Sequence, residues 1–338
     1  MPADKINQYP DISIVILSKN SAPYLKQALE IIFRQQVSAC YEVLVIDSGS
    51  TDSTLETIRR YPIRLVTIPP EAFGHGRTRN LGARLAKGKI VVFLNGDAIP
   101  SDELWLYNLI RHFDGDPQIA GVYGRCFPRQ GCNPLRAREL LADPTYAFKE
   151  AVLKRIEDKK SYTRMDYGQK RILLAFETIS CAIKRDILQR FEFDDNIEFG
   201  EDLEWSKRMM EKGFKIVFEP SSAVVHSHDF YCSLRQTIKK FFDDTKLSKD
   251  LLEYHISITP LTFLRFVTIK VIPDIKYISG LSNGIIYKIR WILYCPLVRI
   301  SQFIGVIIGC YSQKIPLGLH RRISLVSEAK NSSKNLWG

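Results

Sequence analysis

Short apolar segments alternate with amphipathic stretches in the first third of the chain, and this alternation most constrains the fold. The apolar segments are 12–17, 42–46, 63–68 and 90–94. Between the first two, Leu25, Leu29 and Ile32 recur at the spacing of one helix face. Strands that alternate with helices predict an α/β fold with a mostly parallel sheet flanked by helices.

Polar clusters follow three of these predicted strands, at 18–20, 47–52 and 95–97. In open α/β sheets ligands bind at the carboxyl ends of the strands, so we expect the three clusters to meet in one crevice. Asp47 follows a buried strand, which suits a carboxylate that contacts a ribose or a base. Helix capping by Ser50 or Asp52 is the alternative, but capping does not need Asp47 as well.

Two further segments could bind anionic or cationic groups. Asp97 ends a buried strand, and one carboxylate can hold a hard cation when substrate phosphates supply the other ligands. A simple turn around Gly96 is the alternative. Segment 74–82 (GHGRTRNLG) is an incomplete dinucleotide fingerprint, and its glycines and arginines at a helix start favour an anion site over a merely flexible loop.

Acidic residues and histidines occur later in the chain. Glu201 and Asp202 open a predicted helix, where acids stabilise the helix dipole and where one carboxylate could also serve as a general base. Alternation beyond an apolar strand sends His226 and His228 to the same side. No further ligand at zinc spacing accompanies them, which favours one histidine completing a catalytic metal site over a structural zinc site.

The motifs VILSKNS, VIDSGSTD, RTRNLG, FLNGDAIP and EFGEDLEW, in this order, resemble the family 2 glycosyltransferases of the GT-A fold, especially their rhamnosyltransferase-like bacterial branch. The resemblance covers residues 12–228. It implies an inverting transfer of a sugar from a nucleotide-sugar donor to an acceptor hydroxyl. The donor contacts that it implies are Ser18 and Asp47 at the nucleoside and Arg79 and Asn80 beside them.

The same resemblance assigns the catalytic and metal residues. The family's Asp-x-Asp motif stands here as Asn95-Gly96-Asp97, so Asn95 and Gly96 fall in the donor site and Asp97 would coordinate Mg²⁺ or Mn²⁺. Because one carboxylate replaces two, we expect weaker metal affinity or help from His228. Asp202 matches the family's catalytic base, and Glu201 is the less favoured candidate.

The last quarter of the chain differs in composition from the rest. The chain carries a net charge of +11, and residues 255–338 contain eleven Lys or Arg against two acids. Segment 291–310 is apolar, but polar residues interrupt it; they include Arg299 and Gln302. This pattern favours an interfacial helix on an anionic membrane surface over buried core helices or a nucleic-acid partner.

These features together predict a GT-A-like catalytic domain at 1–235 and a helical, basic, membrane-associating region at 236–338. Segment 134–171 is predicted to be mostly helical. Seven scattered cysteines and a polar N-terminus favour a cytoplasmic protein, peripheral on the inner face of the membrane. We expect the acceptor to be a lipid-linked saccharide in cell-surface polysaccharide synthesis.

Two other functions remain open from the sequence. A non-catalytic nucleotide-sugar-binding protein or a membrane scaffold could use the same fold, because a fold does not guarantee activity. A nucleotidyltransferase that makes nucleotide sugars is a third reading, and the lack of a clear triphosphate loop disfavours it.

Overall fold

The computed structural model describes residues 10–197 and 199–324. Residues 1–9 and 325–338 lie outside the described part, and with them the outer ends of the predicted regions 1–235 and 236–338. Glu198, the first residue of the EFGEDLEW motif, also lies outside it.

Within the described residues, nine strands form a single sheet. They are β1 (Ile12–Ser18), β2 (Tyr41–Asp47), β3 (Arg64–Thr67), β4 (Ile90–Asn95), β5 (Ile99–Pro100), β6 (Ile119–Phe127), β7 (Val152–Lys154), β8 (Ser180–Lys184) and β9 (Lys215–Val225). The strand order is β3-β2-β1-β4-β8-β6-β9-β5, and β7 pairs with β9. The first four strands in this order are parallel, whereas β8 pairs antiparallel with both β4 and β6. The α/β fold is thus confirmed, with a parallel half as predicted and an antiparallel half beside it.

The helices surround and follow this sheet. They are α1 (Ala22–Ile32), α2 (Thr54–Ile58), α3 (His75–Leu85), α4 (Trp105–Ile110), α5 (Pro134–Ala142), α6 (Lys159–Arg164), α7 (Tyr167–Leu174), α8 (Arg185–Arg190), α9 (Glu201–Glu211), α10 (Leu234–Leu252), α11 (Pro260–Ser279), α12 (Ile285–Cys310) and α13 (Leu317–Ile323). Single 3₁₀ turns occur at Pro70–Ala72, Pro144–Tyr146, Phe230–Cys232 and Ser312–Lys314.

The central strands are apolar because both of their faces are covered. Every residue of β1 is buried, including Ser13, whose hydroxyl donates to Glu42. On α1, the predicted apolar face of Leu25, Leu29 and Ile32 is fully buried. Helical periodicity and continuous apolar runs therefore identify this part of the core correctly.

The chain forms two compact units. The first contains the described residues up to Cys126 together with those of Pro144–His226, and the second contains Phe127–Asp143 and the described residues 227–324. The sequence predicted one boundary, after residue 235. In the structure, residues 127–143 also belong to the second unit. Segment 134–171 is also less uniform than predicted, because it contains the strand β7 between its helices.

The second unit is a helical bundle with close contacts between α10 and α12. A Cβ atom added at Gly305 would lie 2.5 Å from the carbonyl oxygen of Ile238, and one at Gly309 would lie 2.6 Å from Cβ of Thr245. Only glycine allows the helices to approach this closely, so these two positions set the packing of α12 on α10.

A buried ionic network joins α5, α11 and α12 within the second unit. Arg299 donates from Nε to Asp274 at 2.6 Å and from Nη1 to Glu139 at 2.7 Å. The Asp274 carboxylate also accepts from Arg138. Burial would raise the pKa of Glu139, but Arg299, Lys270 and the Tyr231 hydroxyl hold that pKa at about 2. Glu139 is therefore ionised at neutral pH, and the network stays charged.

Candidate active site at the carboxyl edge of the sheet

The tips of β1 and β2 lie side by side at the carboxyl edge of the sheet. Ser18 and Asp47 are register partners at the ends of these parallel strands, and both side chains are buried. Just beyond them, the Ser48 amide donates to the Ser18 carbonyl at 3.0 Å. The structure thus brings together the two residues that the resemblance assigned to the nucleoside.

Asp47 organises the loop that follows it. Its Oδ1 accepts from the amides of Gly49 at 3.0 Å and Ser50 at 2.9 Å, and its other oxygen accepts from the Ser50 hydroxyl. Gly49 has a φ of +86°, a left-handed conformation that favours glycine. The first amide of the next helix has a partner of its own, since the Thr54 amide donates to Asp52 at 3.0 Å. Asp47 is therefore not needed as a cap, and its carboxylate is held in one orientation.

The tip of β4 packs directly against β1. The Gly96 amide donates to the Leu17 carbonyl at 2.7 Å. A Cβ at position 96 would lie 2.9 Å from that carbonyl oxygen and 3.1 Å from the Ser18 Cα. Glycine is required here by this close approach, which places the start of the Asp97 turn beside the tip of β1.

Arg79 on α3 connects the β4 tip with the predicted catalytic acids. Its Nη1 lies 2.7 Å from the Glu201 carboxylate, and its Nη2 donates to Asn95 at 3.2 Å and to the Thr178 carbonyl at 3.3 Å. Only 2% of the Arg79 surface is exposed. Its resolved contacts are thus with protein groups, and they position Asn95 and Glu201.

Asn80 contacts a different segment. Its amide group donates to the Phe193 carbonyl at 2.8 Å and to Asp195 at 2.9 Å, while its oxygen accepts from the Phe193 amide at 3.0 Å. These contacts hold the loop that leads into α9. The Asn80 side chain is buried among these partners. The donor contact predicted for it stays a prediction.

Glu201 and Asp202 begin α9 but have different surroundings. Gly200, with a φ of +78°, turns the chain into the helix. Glu201 is buried against Arg79, whereas Asp202 is partly exposed and accepts from the amides of Leu203 at 2.8 Å and Thr178 at 3.4 Å.

The protonation equilibria of these two acids follow from those surroundings. Burial and the neighbouring Glu201 charge raise the pKa of Asp202 to about 6, and Arg79 opposes the rise. Burial also raises the pKa of Glu201, against the effect of the same guanidinium. A partly exposed carboxylate that titrates near neutral pH is suited to accept a proton, so the environment favours Asp202 over Glu201 as a base.

A carboxylate and an imidazole meet where β5 pairs with β9. Ile99 is the register partner of Val225, and this pairing brings the Asp97 turn next to His226. The Asp97 Oδ1 lies 3.3 Å from the His226 Nε2. The sequence predicts His228 as the histidine that assists Asp97 in binding the metal; it follows two residues later and belongs to the second unit. The role of His228 stays a prediction, and His226, which the sequence pairs with His228, was not selected as a ligand.

His75, at the first turn of α3, is a second residue that sequence analysis did not select. Burial and Arg79 lower its pKa to about 4, while the charges of Asp202 and Asp97 act in the opposite direction. His75 is therefore neutral at pH 7 and is close enough to feel the charges of both acids. The only sequence signal for it was its place between the glycines of the 74–82 segment.

Comparison with known proteins identifies the family. Residues 13–191, more than half of the chain, match the family model described as glycosyl transferase family 2. The chain belongs to glycosyl transferase family 2. Ser18, Asp47, Arg79 and Asp97 all fall inside the matched region, whereas Asp202 lies beyond it.

Two family 2 relatives from Salmonella are similar over nearly the whole chain. The O-antigen chain rhamnosyltransferase RfbN of Salmonella typhimurium is 26% identical over 328 residues, which cover 95% of this chain and 96% of the relative. The O-antigen chain rhamnosyltransferase WbaN of Salmonella anatum is 27% identical, with 89% of each chain covered. The predicted rhamnosyltransferase-like family assignment is confirmed.

Solved structures with the same fold include two glycosyltransferases. The mannosyltransferase PcManGT from Pyrobaculum calidifontis, in complex with GDP-Man and Mn²⁺, superposes with a TM-score of 0.54 at 16% identity and covers 91% of this chain and 89% of its own. Residues 1–349 of S. aureus TarS give a TM-score of 0.52 at 15% identity, covering 92% and 77%. At these identities the likeness concerns the fold, and it confirms the GT-A-like architecture.

Proposed function

We propose that this family 2 enzyme transfers a sugar, with inversion, from a nucleotide-sugar donor to an acceptor hydroxyl. The observation that carries the proposal is the environment of Asp202, a partly exposed carboxyl with a pKa near 6 that is held by Thr178 and α9. The RfbN and WbaN relatives are named as O-antigen chain rhamnosyltransferases, which supports a role in cell-surface polysaccharide synthesis.

In the proposed reaction Asp202 acts as the general base. It accepts the proton of the acceptor hydroxyl while that oxygen attacks the anomeric carbon of the donor. The bond between the anomeric carbon and the phosphate oxygen breaks in the same step, and the nucleoside diphosphate leaves. One displacement inverts the anomeric centre and needs no covalent enzyme intermediate. Arg79 and Glu201 act as positioning residues, since their buried ion pair sets the start of α9.

The donor would lie across the tips of β1, β2 and β4. Ser18 and Asp47 are proposed to contact the nucleoside, because they lie together at the ligand edge of the sheet. Asn95 and Gly96 would form the neighbouring wall beside Asp97. Proximity of this edge to α9 is supported by the contact of Arg79 with both Asn95 and Glu201.

The residues present fit a divalent cation at Asp97. Its carboxylate and the imidazole of His226 have ligand atoms 3.3 Å apart, and such oxygen and nitrogen donors suit Mn²⁺, while Mg²⁺ would rely more on Asp97 and donor phosphates. His228 is retained as the ligand that the family resemblance suggested. A bound ion would offset the negative charge on the departing diphosphate.

We further propose a lipid-linked saccharide as the acceptor and the cytoplasmic face of an anionic membrane as the place of reaction. The basic, apolar composition of residues 255–324 supports this, since their nine Lys or Arg stand against one acid, Asp274. A donor that is soluble and an acceptor held in a bilayer require an enzyme that works at the membrane surface.

A donor screen tests the proposed activity. The purified full-length enzyme is incubated with a panel of nucleotide sugars and Mn²⁺, and release of the nucleoside diphosphate is measured with and without EDTA. We expect hydrolysis or transfer that depends on metal and is lost in Asp202→Asn. Donor binding without turnover for every sugar and saccharide acceptor would favour the non-catalytic binding protein. Pyrophosphate release from a nucleoside triphosphate would favour the nucleotidyltransferase.

A further inference from the structure

Helix α12 buries three polar side chains among the apolar residues of its inner side. Arg299 and Gln302 interrupt the apolar segment 291–310, and both are fully buried in the ionic network with Asp274 and Glu139. Ser301 is buried as well. These polar residues, which interrupt the apolar segment, therefore face the protein interior. The exposed residues of α12 lie on its opposite side.

That opposite face of α12 is apolar along its whole length. Its exposed large side chains include Ile286 at 82%, Leu293 at 71% and Leu297 at 50% exposure. Ile289, Ile304 and, just past the helix end, Tyr311 are also exposed. At 100° per residue these positions fall on one stripe, because their spacings follow the three- and four-residue period of a helix face. Helix α12 thus has an exposed apolar stripe, whereas its buried side combines polar residues such as Arg299 with apolar ones such as Trp291 and Phe303.

Helix α11 repeats this arrangement in the same unit. Leu261 is 73% exposed, and Leu264 and Ile272 follow on the same face of the helix. Its opposite side carries Asp274 and Ile278, which are buried against α12. Two neighbouring helices therefore each expose a run of large aliphatic side chains, which exceeds the scattered exposure usual in soluble proteins.

The charges around these stripes have one sign. Exposed basic residues on or beside α11 and α12 are Arg265, Lys276, Arg290 and Lys314. Asp274 is the one acid between residues 255 and 324, and it is buried in its ion pairs. A surface that combines aliphatic stripes with cations and no exposed carboxylate complements an anionic lipid headgroup layer above acyl chains.

We infer that the exposed stripes of α11 and α12, which we call the aliphatic face, insert into the headgroup boundary of an anionic bilayer. The inference deepens the proposed function, because it names the surface by which the enzyme would reach a lipid-linked acceptor. A second copy of this chain fits less well, since pairing two such faces would bring their cations together. Lipid binding itself does not depend on sugar transfer, so the two can fail separately.

The aliphatic face lies in the plane of the membrane. Among the described residues, α12 is the one helix long and apolar enough to span a bilayer, yet half of its most apolar window is buried in the protein. A spanning orientation would place the packed inner side of α12, with its ionic network, at the depth of the acyl chains. In-plane insertion instead immerses only the outer stripe and leaves the network within the protein.

Vesicle sedimentation of the full chain tests the inference. The probes are phosphatidylcholine vesicles with and without phosphatidylglycerol. The fraction of protein bound to the vesicles is measured at low and at high salt. The test variant is Ile286→Gln/Leu293→Gln/Leu297→Gln, and the matched control is Leu104→Gln/Leu153→Gln, which changes exposed leucines of the first unit. A third variant, Arg265→Gln/Lys276→Gln/Arg290→Gln, removes charge only.

We expect the full chain and the leucine control to bind phosphatidylglycerol vesicles, and salt to weaken that binding. The aliphatic variant should partition about a thousandfold less, since each of its three immersed side chains contributes on the order of a tenfold factor. The charge variant should lose about a hundredfold on anionic vesicles, at roughly 1 kcal/mol per cation. Circular dichroism and donor hydrolysis without vesicles should match the wild type.

Three outcomes would overturn the inference. Unchanged vesicle binding of the aliphatic variant would remove the aliphatic face from lipid contact. Retention of the wild type on vesicles through an alkaline carbonate wash would indicate a spanning helix. If the wild type is a dimer in sedimentation velocity and the aliphatic variant is a monomer, a second copy of the chain covers the aliphatic face. If vesicle binding behaves as expected while no donor is turned over, the proposed function fails and the lipid surface stands.

Discussion

The guanidinium of Arg79 lies 2.7 Å from the carboxylate of Glu201, and both side chains are buried. One residue belongs to α3, which lies between β3 and β4 in the chain, and the other begins α9, far later in the chain. Through Asn95, the same guanidinium also reaches the tip of β4. The ion pair therefore couples the donor edge of the sheet to the helix that carries the proposed base.

Breaking this ion pair should destabilise the protein strongly. Arg79→Met leaves Glu201 buried without its cation, and we expect a loss of about 3–5 kcal/mol in the free energy of unfolding. The double variant Arg79→Met/Glu201→Gln should lose less than the sum of the two single variants, because no buried charge is left uncompensated. Urea unfolding measures all three. Arg84→Met on the same helix, whose partner Glu192 is exposed, should cost less than about 1 kcal/mol.

Removing the proposed base should slow transfer strongly and leave donor binding unchanged. Asp202→Asn keeps the shape of the side chain but cannot accept a proton, so we expect kcat to fall about 10²–10⁴-fold. Donor affinity, measured by calorimetry, should stay near that of the wild type. Glu204→Gln, in the same first turn of α9, is the matched control and should remain active. Near-normal turnover in Asp202→Asn would exclude Asp202 from the role.

The pH dependence of the reaction should report the same group. Asp202 must be ionised to act as a base, and burial together with Glu201 raises its pKa to about 6. The logarithm of kcat/KM should therefore rise with a slope near one below about pH 6 and level off above it. Initial rates between about pH 5 and about pH 8 test this. A flat pH profile of the wild type over that range would contradict a base with this pKa. The residual activity of Asp202→Asn should not depend on pH, because the variant lacks the titrating group.

The cation site can be tested by calorimetry with the donor. Asp97→Ala removes the carboxylate at the proposed metal site, so the enhancement of donor affinity by Mn²⁺ should fall at least about tenfold. His226→Ala should weaken the same enhancement, since its Nε2 lies 3.3 Å from that carboxylate. Asp114→Ala, an exposed acid elsewhere, is the control. Full Mn²⁺ enhancement in Asp97→Ala would rule out the site.

The ionic network of the second unit should prove as sensitive as the Arg79 pair. Arg299→Met leaves Glu139 and Asp274 buried with reduced compensation, and we expect about 3–5 kcal/mol of lost stability. Arg290→Met, on an exposed turn of the same helix, should change stability by less than about 0.5 kcal/mol. Thermal unfolding followed by circular dichroism measures both. Equal midpoints for the two variants would show that the network contributes nothing measurable.

Local patterns in the sequence predicted the parallel half of the fold. The runs at 12–17, 42–46 and 90–94 became β1, β2 and β4 because continuous apolar strands carry their own signal. The antiparallel half was not predicted, since the pairing of β8 with β4 and of β5 with β9 joins segments far apart in the chain. Such pairing is decided by tertiary packing, which no short window of sequence displays.

The site shows the same limit. Asp47 and Asp202 could be proposed as site residues from the sequence, because each lies in a clear motif at an element boundary. His226 was not selected, because its closeness to Asp97 depends on the pairing of β5 with β9. Arg79 was read as a donor contact, since a basic residue at a glycine-rich helix start looks the same in sequence whether it is exposed or buried. Its burial and its protein partners are set by packing that only the folded chain displays.

The path of the chain between the two units limits how this enzyme can be engineered. The polypeptide leaves the catalytic unit at Phe127, returns at Pro144 and leaves again at Ser227. If only the residues after Ser227 were replaced by those of a relative, α5 would lose its native partners. Arg138 of α5 pairs with an acid of α11, and Glu139 pairs with a base of α12. A working chimera would therefore have to take both segments from the same relative: the one equivalent to residues 127–143 and the one that follows Ser227.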